Sequence, residues 1–457
     1  MNNFYLGIDV SKGYADFIII NHSKKPVMKR FQLDDSFDGH SQLYQIIKSF
    51  CNQNPGCRIM AGVESSGGYE NNWYQTLFNF QNFFDLRVAH LNPLAVCHSR
   101  SADLKRTITD AVSAISIAEY LISHPEKVTY QKQLNPLQSH SKQLGFIIML
   151  EKQYTLFRNQ FESIIYGANP TIMAYCKDGM PEWVLKLLIK FPTAKQLSRV
   201  KPHTVAKIPY ITKERALELI SDAKKSIASS TDDMTGDLIK AYAQQMLNLK
   251  STIKIQKKAL EKSCDIPEVK LLQTVNGIGA FSAVALMIYI QNVERFQSAK
   301  KISSFYGLHP VFKQSGDGTS RIQMSKQGQK NVRRILFMVT LNAIQSNPLI
   351  HEIYESKVSG GMEKMAVIGL CMHKLLRIIY GMLKTNKPFD PEIDRCNRQK
   401  SIEADKGIKE DKNRRLQDYD PKAPISRRQY LKRVERKKSQ SDNITKCRII
   451  ASVPETT

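Results

Sequence analysis

No two cysteines in this sequence stand in a C-x-x-C pair, although there are eight of them. Zinc sites and disulfide frameworks both depend on spaced pairs, so neither is indicated. Cys51 and Cys57 could approach each other, but the set reads as buried free thiols in a reducing compartment. Long hydrophobic runs are also missing. The most apolar stretch, 281–290, is too short to cross a bilayer and is interrupted by Ser282. The first residues lack a basic region followed by an apolar stretch and a cleavage site, so no secretory signal is expected. No internal repeat is visible. Acidic residues are in deficit: 42 Asp and Glu face 67 Lys and Arg, a formal charge of +25. Such an excess attracts a polyanion, usually nucleic acid, with an acidic membrane surface as the rival.

What is present suits a multi-domain globular protein. The 457 residues are enough for two to four domains, and 42% hydrophobic residues are enough to build their cores. Short apolar runs at 4–10, 15–20 and 27–33 read as three strands, with a turn at 21–26. A helical pattern over 36–51, a buried strand at 58–63, a helix over 69–80, a strand at 86–91 and a helix over 110–121 follow. A three-strand meander followed by alternating helix and strand predicts an α/β domain of the ribonuclease-H-like (RuvC-like) kind over residues 1–130. From 131 to 266 the pattern is helical. Two long polar-rich helices, 143–165 and 237–262, could form an antiparallel pair or a coiled coil around a small helical insert. A third domain, 267–391, is predicted to be all-α, with helices over 280–289, 298–306, 330–345 and 364–385. The tail, 392–457, is polar and basic and reads as largely disordered.

Three acids stand out. Asp9 and Glu64 each end an apolar strand, where carboxylates can converge at a sheet edge, and Asp110 opens a helix. Converging carboxylates suit a hard divalent cation, Mg²⁺ or Mn²⁺, and such ions assist phosphodiester cleavage. Taken singly, Asp9 is equally a turn residue, and Asp110 equally a helix N-terminal charge.

The segment Val275-Asn276-Gly277-Ile278-Gly279 joins two helical stretches and reads as a helix-hairpin-helix-like turn. Its glycines allow backbone N–H groups to face a phosphate, though an ordinary helix connection has the same look. Further on, Ser315 lies among Gly316, Asp317, Gly318, Thr319 and Ser320, the composition of a flexible loop.

These motifs together resemble a known family. Gly7-Ile8-Asp9-Val10-Ser11-Lys12, Val63-Glu64-Ser65-Ser66-Gly67-Gly68-Tyr69 and Lys105-Arg106-Thr107-Ile108-Thr109-Asp110-Ala111-Val112-Ser113-Ala114 resemble the RuvC-like DEDD transposases of the insertion-sequence one-ten family, which includes the pilin-gene invertases. The resemblance covers about residues 4–390. It implies a DNA transposase or recombinase of a bacterial insertion sequence, cytoplasmic and associated with the nucleoid. It also implies a homo-oligomer, dimer or tetramer, whose long helices join subunits, and an element-encoded structured RNA that pairs with the DNA. It implies no membrane partner.

The resemblance also assigns residues. The third motif of the family has the form T-D-x-x-D-A, whose two acids share a helix face. Here the second acid is replaced by Ser113, so the metal site is expected to be weakened. In the family a serine of an S-G motif attacks DNA, and Ser315 is its match, with Ser325 as runner-up. Lys326, Arg333 and Arg334 read as phosphate contacts. Two alternatives remain. One is a metal-dependent junction-resolving nuclease without a covalent step. The other is a degenerate, non-catalytic nucleic-acid-binding protein, for which Ser113 is the argument.

Overall fold

The computed structural model describes residues 2–65, 67–102, 109–130, 136–312 and 323–397, and a few single positions between 424 and 434. The chain divides into two compact units, Met1–Pro136 and Leu137–Thr457.

Unit one is built on a five-stranded sheet. Its elements are β1 (Asn3–Ser11), β2 (Tyr14–Asn21), β3 (Phe31–Asp34), α1 (Phe37–Gln53), β4 (Arg58–Glu64), α2 (Glu70–Phe80), β5 (Leu86–Leu91), α3 (Pro93–Ala102) and α4 (Asp110–Ser123). The strand order is β3-β2-β1-β4-β5. β2 is antiparallel to β1 and β3, whereas β4 is parallel to both β1 and β5. The meander and the alternation are as the sequence suggests. β3 is shorter than expected because the chain leaves the sheet after an isolated bridge between Ile20 and Pro26. Alternation of side chains gives the sheet two apolar faces. Leu6, Ile8, Ile59, Ala61 and Val63 pack with α1 and α2. Tyr5, Ile18, Ile20, Ala89 and Leu91 pack with α3 and α4.

Unit two is mostly helical. α5 (Gln138–Ala168) and α10 (Asp233–Ser263) are 31 residues each, about 46 Å long. Side-chain bonds from Gln143 to Gln256 and from Tyr242 to Gln160 set them antiparallel. Between them run α6 (Glu182–Lys190), α7 (Ala194–Leu197), α8 (Pro202–Val205) and α9 (Lys213–Lys224), which close a core of their own around Leu185, Leu188 and Ile220. The far ends of α5 and α10 share a second core with α11 (Pro267–Gln273), α12 (Ala280–Ile290), α13 (Ala299–Phe305), α14 (Lys330–Ser346), α15 (Pro348–Ser359) and α16 (Lys364–Thr385).

The third region is not all-α. β6 (Pro310–Val311) and β7 (Gln323–Met324) form a short antiparallel ribbon. Pro310 cannot extend α13, and Gly307 in the left-handed region turns the chain into the ribbon. Among the described residues, α16 alone is long and apolar enough to cross a membrane. Eight of its apolar side chains, Leu375, Leu376 and Ile379 among them, are packed inside this unit. The described cysteines are all free, and the Cys51 thiol is pushed up to about 12 by burial and by the neighbouring Cys57 thiol. Most of the tail beyond 397 lies outside the described residues.

Candidate active site

The sheet places the first two acids. On β1, Gly7 and Asp9 are two residues apart and so point to the same face. On β4, Gly62 and Glu64 do the same. Gly7 pairs with Gly62 and Ile8 with Val63, so Asp9 and Glu64 are each the next residue along two adjacent parallel strands. Both acids project from the face that α4 covers.

The two glycines explain how close α4 comes. A Cβ on Gly7 would lie 2.0 Å from the carbonyl oxygen of Ala114 and 2.9 Å from the nitrogen of Ala118. A Cβ on Gly62 would meet Ile117 and Leu121 of the same helix at 3.2 Å. α4 is therefore seated directly on the backbone of β1. Its first turn holds Asp110 and Ser113, and Thr109 caps it by accepting a hydrogen bond from the Val112 N–H at 3.3 Å. Ser113 is half-buried. The placement of the Asp110 side chain is not among the described features.

The electrostatics of this corner are uneven. Burial pushes the Glu64 carboxyl above its ordinary range, and the Arg100 cation of α3 pulls it partly back. The loop after β4 turns sharply on Gly67 and Gly68, both with positive φ. Its Gly68 N–H donates to the Glu70 carboxylate at 2.7 Å, which ties the loop to the start of α2.

One acid escaped the sequence reading. Asp16 of β2 is the direct antiparallel partner of Asp9, so the two share a face. It is 6% exposed and accepts a hydrogen bond from the Gln32 amide at 3.1 Å. Its mid-strand position in an apolar run hides it. Counting back through the β1–β2 turn would have found it.

The remaining candidates lie in unit two. Ser315 falls within 313–322 and lies outside the described residues, although β6 and β7 flank it on either side. Around them the backbone is tightly folded. Ser325 N–H donates to the His309 carbonyl and Lys326 N–H to the Gly307 carbonyl, each at 3.0 Å. A Cβ on Gly307 would sit 1.9 Å from the Gln327 carbonyl oxygen. Arg333 clamps this fold, donating to the carbonyls of Tyr306 and Gly328 at 3.0 Å each. Lys326 is exposed, with φ +56°. Arg334 is exposed and pairs with Glu151 of α5 at 2.7 Å.

Gly277 and Gly279 lie between α11 and α12. Gly277 has φ +102°, and a Cβ there would come within 2.7 Å of the Ala343 backbone. Gly279 caps α12 in ordinary extended backbone, and among the described residues nothing stands within 4 Å of where its Cβ would be.

Two family models match the chain. One, described as a transposase and specific to IS110 elements of the DEDD kind, covers residues 6–154. The other, described as the transposase IS116/IS110/IS902 family, covers residues 269–355. The chain belongs to the IS110 family of transposases. Among its relatives is the pilin gene-inverting protein of Moraxella lacunata, 28% identical over 71% of this chain and 92% of that protein. The Moraxella bovis pilin gene-inverting protein is 27% identical over the same shares. A 43.6 kDa protein of insertion element IS110 from Streptomyces coelicolor is 20% identical over 30% of this chain and 35% of its own length. The first IS110 match contains the sheet and its acids, and the second contains the ribbon, Lys326, Arg333 and Arg334.

Proposed function

We propose that this IS110-family protein breaks and rejoins DNA at the ends of its element, using a RuvC-like acidic site in unit one and the hydroxyl of Ser315 in unit two. The observation that carries this reading is that Asp9 and Glu64 follow one another on adjacent parallel strands, on the sheet face that α4 covers. Asp9 and Glu64 are oxygen donors on a shared face, which suits a hard dication, and Asp110 at the start of α4 would complete the set that holds Mg²⁺ or Mn²⁺. Bound there, the metal supplies charge stabilisation at the phosphate undergoing substitution.

The protein's own groups do the rest. Asp9, Glu64 and Asp110 anchor and orient. Ser113 offers a neutral oxygen one turn further along α4. The Ser315 hydroxyl forms a bond to phosphorus as the phosphorus–sugar oxygen bond breaks, and its proton passes to the departing sugar oxygen. The phosphodiester is exchanged and not hydrolysed, so the reverse step can seal a new partner strand. Lys326 and Arg334 contact phosphate. Gly279 leaves room for a phosphate at the N-terminus of α12, since the fold does not itself require a glycine there. Arg333 supports the site by holding the ribbon.

The chain acts on DNA in the bacterial cytoplasm, at the nucleoid, as a dimer or tetramer joined through its long helices. A structured RNA from the element pairs with the DNA and selects the site. The +25 charge supports both polyanionic partners. The half-buried Ser113 favours one second reading, a binding protein that has lost strand cleavage. The test is denaturing electrophoresis of labelled element-end DNA incubated with protein, RNA and Mg²⁺. A protein–DNA adduct that Ser315→Ala abolishes supports the proposal. Hydrolytic cleavage that persists in Ser315→Ala would point to a nuclease, and unbroken DNA with intact binding to the second reading.

A further inference from the structure

Unit two contains a cleft of about 970 Å³ of which the reading of the two catalytic regions uses only Arg334. It lies between the middle of α5, the second half of α10 and the first turns of α14. Six cationic side chains line it: Lys152, Lys250, Lys254, Lys257, Lys258 and Arg334. Only two carboxylates, Glu151 and Glu261, stand against them.

The spacing on α10 is regular. Lys250, Lys254 and Lys257/Lys258 recur at each turn, about 5.4 Å apart, on one face. The six cations are not equivalent. Glu151 pairs with Lys257 and Arg334, each at 2.7 Å, and so ties α10 and α14 to α5. Lys250 donates to the Met180 carbonyl at 2.6 Å, and burial lowers its pKa. Lys152, Lys254 and Lys258 are exposed and form no ion pair among the described residues. Tyr154 and Thr155 add hydroxyls beside them. A helical stripe of one cation per turn, flanked by α5 and the start of α14, suits a chain of regularly spaced single negative charges. Arg334, which lines the cleft, lies one turn into α14, the helix that follows the ribbon in the chain.

We infer that this cleft holds the phosphodiester backbone of a DNA strand on its way to the ribbon, with Lys152, Lys254 and Lys258 as its phosphate contacts. DNA is chosen because it is the substrate class of the IS110 family and because the cleft abuts the C-terminal region of that match. The inference rests on the proposed function only for the identity of the ligand. Its test is binding, which does not need an active catalytic site.

The experiment uses the full chain and a random-sequence DNA duplex, with affinity measured across a range of salt concentrations. Each lost phosphate contact lowers the slope of log affinity against log salt by about 0.9. Lys254→Glu/Lys258→Glu is therefore expected to lower it by about 2. At ~0.1 M salt the affinity should fall on the order of ten- to a hundredfold. Lys254→Gln/Lys258→Gln should give the same loss of slope without reversing charge. Lys224→Glu/Lys225→Glu, an equal change of net charge at the C-terminal end of α9, should leave the slope nearly unchanged. Both sites are exposed, so the thermal midpoint serves as a check that the variants fold. A slope unchanged in the cleft variants, or an equal fall in the α9 variant, would overturn the inference. So would loss of binding to a structured RNA with DNA binding intact.

Discussion

Ser113 carries no charge at the place where the family pattern has an acid, and it lies one turn from Asp110 on the helix over Asp9 and Glu64. Ligand charge count sets the affinity of hard-cation sites. Ser113→Asp is therefore expected to tighten Mn²⁺ binding by about tenfold or more, measured by calorimetry. The departure was legible in the sequence because the motif fixes its position. The place of Asp16 was missed, since its mid-strand position in an apolar run hides it until the β1–β2 turn is counted through. His90 gives a second prediction at this scale. Its ring stacks on Tyr74 at 3.7 Å, its Nδ1 is buried without a hydrogen-bond partner among the described residues, and burial lowers its pKa against the opposing pull of Glu70. The unfolded chain therefore takes up the proton first, and stability is lost as pH falls through the ordinary histidine value of about 6.5. His90→Phe should flatten the pH dependence of urea unfolding between about pH 5 and 7. An unchanged profile would locate the acid sensitivity elsewhere.

At the scale of elements, close approach decides what a substitution does. Gly7→Ala places a methyl on the backbone of α4, and the helix must move off the sheet. A loss of about 1–3 kcal/mol is expected in chemical denaturation, with weaker metal binding because Asp110 moves with the helix. The two glycines between α11 and α12 should behave differently. Gly277→Ala meets Ala343 and requires positive φ, so it should cost about 1–3 kcal/mol. Gly279→Ala should leave stability within about 0.5 kcal/mol and weaken DNA binding. Equal loss of stability in both would remove Gly279 from the proposed interface. Most elements were legible from periodicity, yet α3 and α15 were not. Both begin at an Asn-Pro pair, which reads as a break in the chain. Here Asn92 accepts from Leu94 N–H, Asn347 accepts from Leu349 and Ile350 N–H, and each proline occupies the first helical position, where its missing donor costs nothing. The ribbon was missed because two-residue strands carry no period.

For the whole molecule, the charge of +25 could be counted in the sequence but not located. The cleft gathers its cations from residues 152, 250–258 and 334, which only the antiparallel pairing of α5 with α10 and the seat of α14 bring together. One family match contains the acids of unit one and extends into the start of unit two, and the other contains the ribbon of unit two. On the proposed reading, recombination draws on both units. The most direct measurement is excision of the parent element in cells, scored as the joined circular junction, for the natural sequence, for Ser113→Asp, and for Ser113→Asp combined with Asp9→Asn or with Ser315→Ala. The account predicts junction product that Ser113→Asp increases, and that Asp9→Asn or Ser315→Ala, each combined with Ser113→Asp, abolishes. Junction product undiminished by the loss of Asp9 and of Ser315 would contradict it.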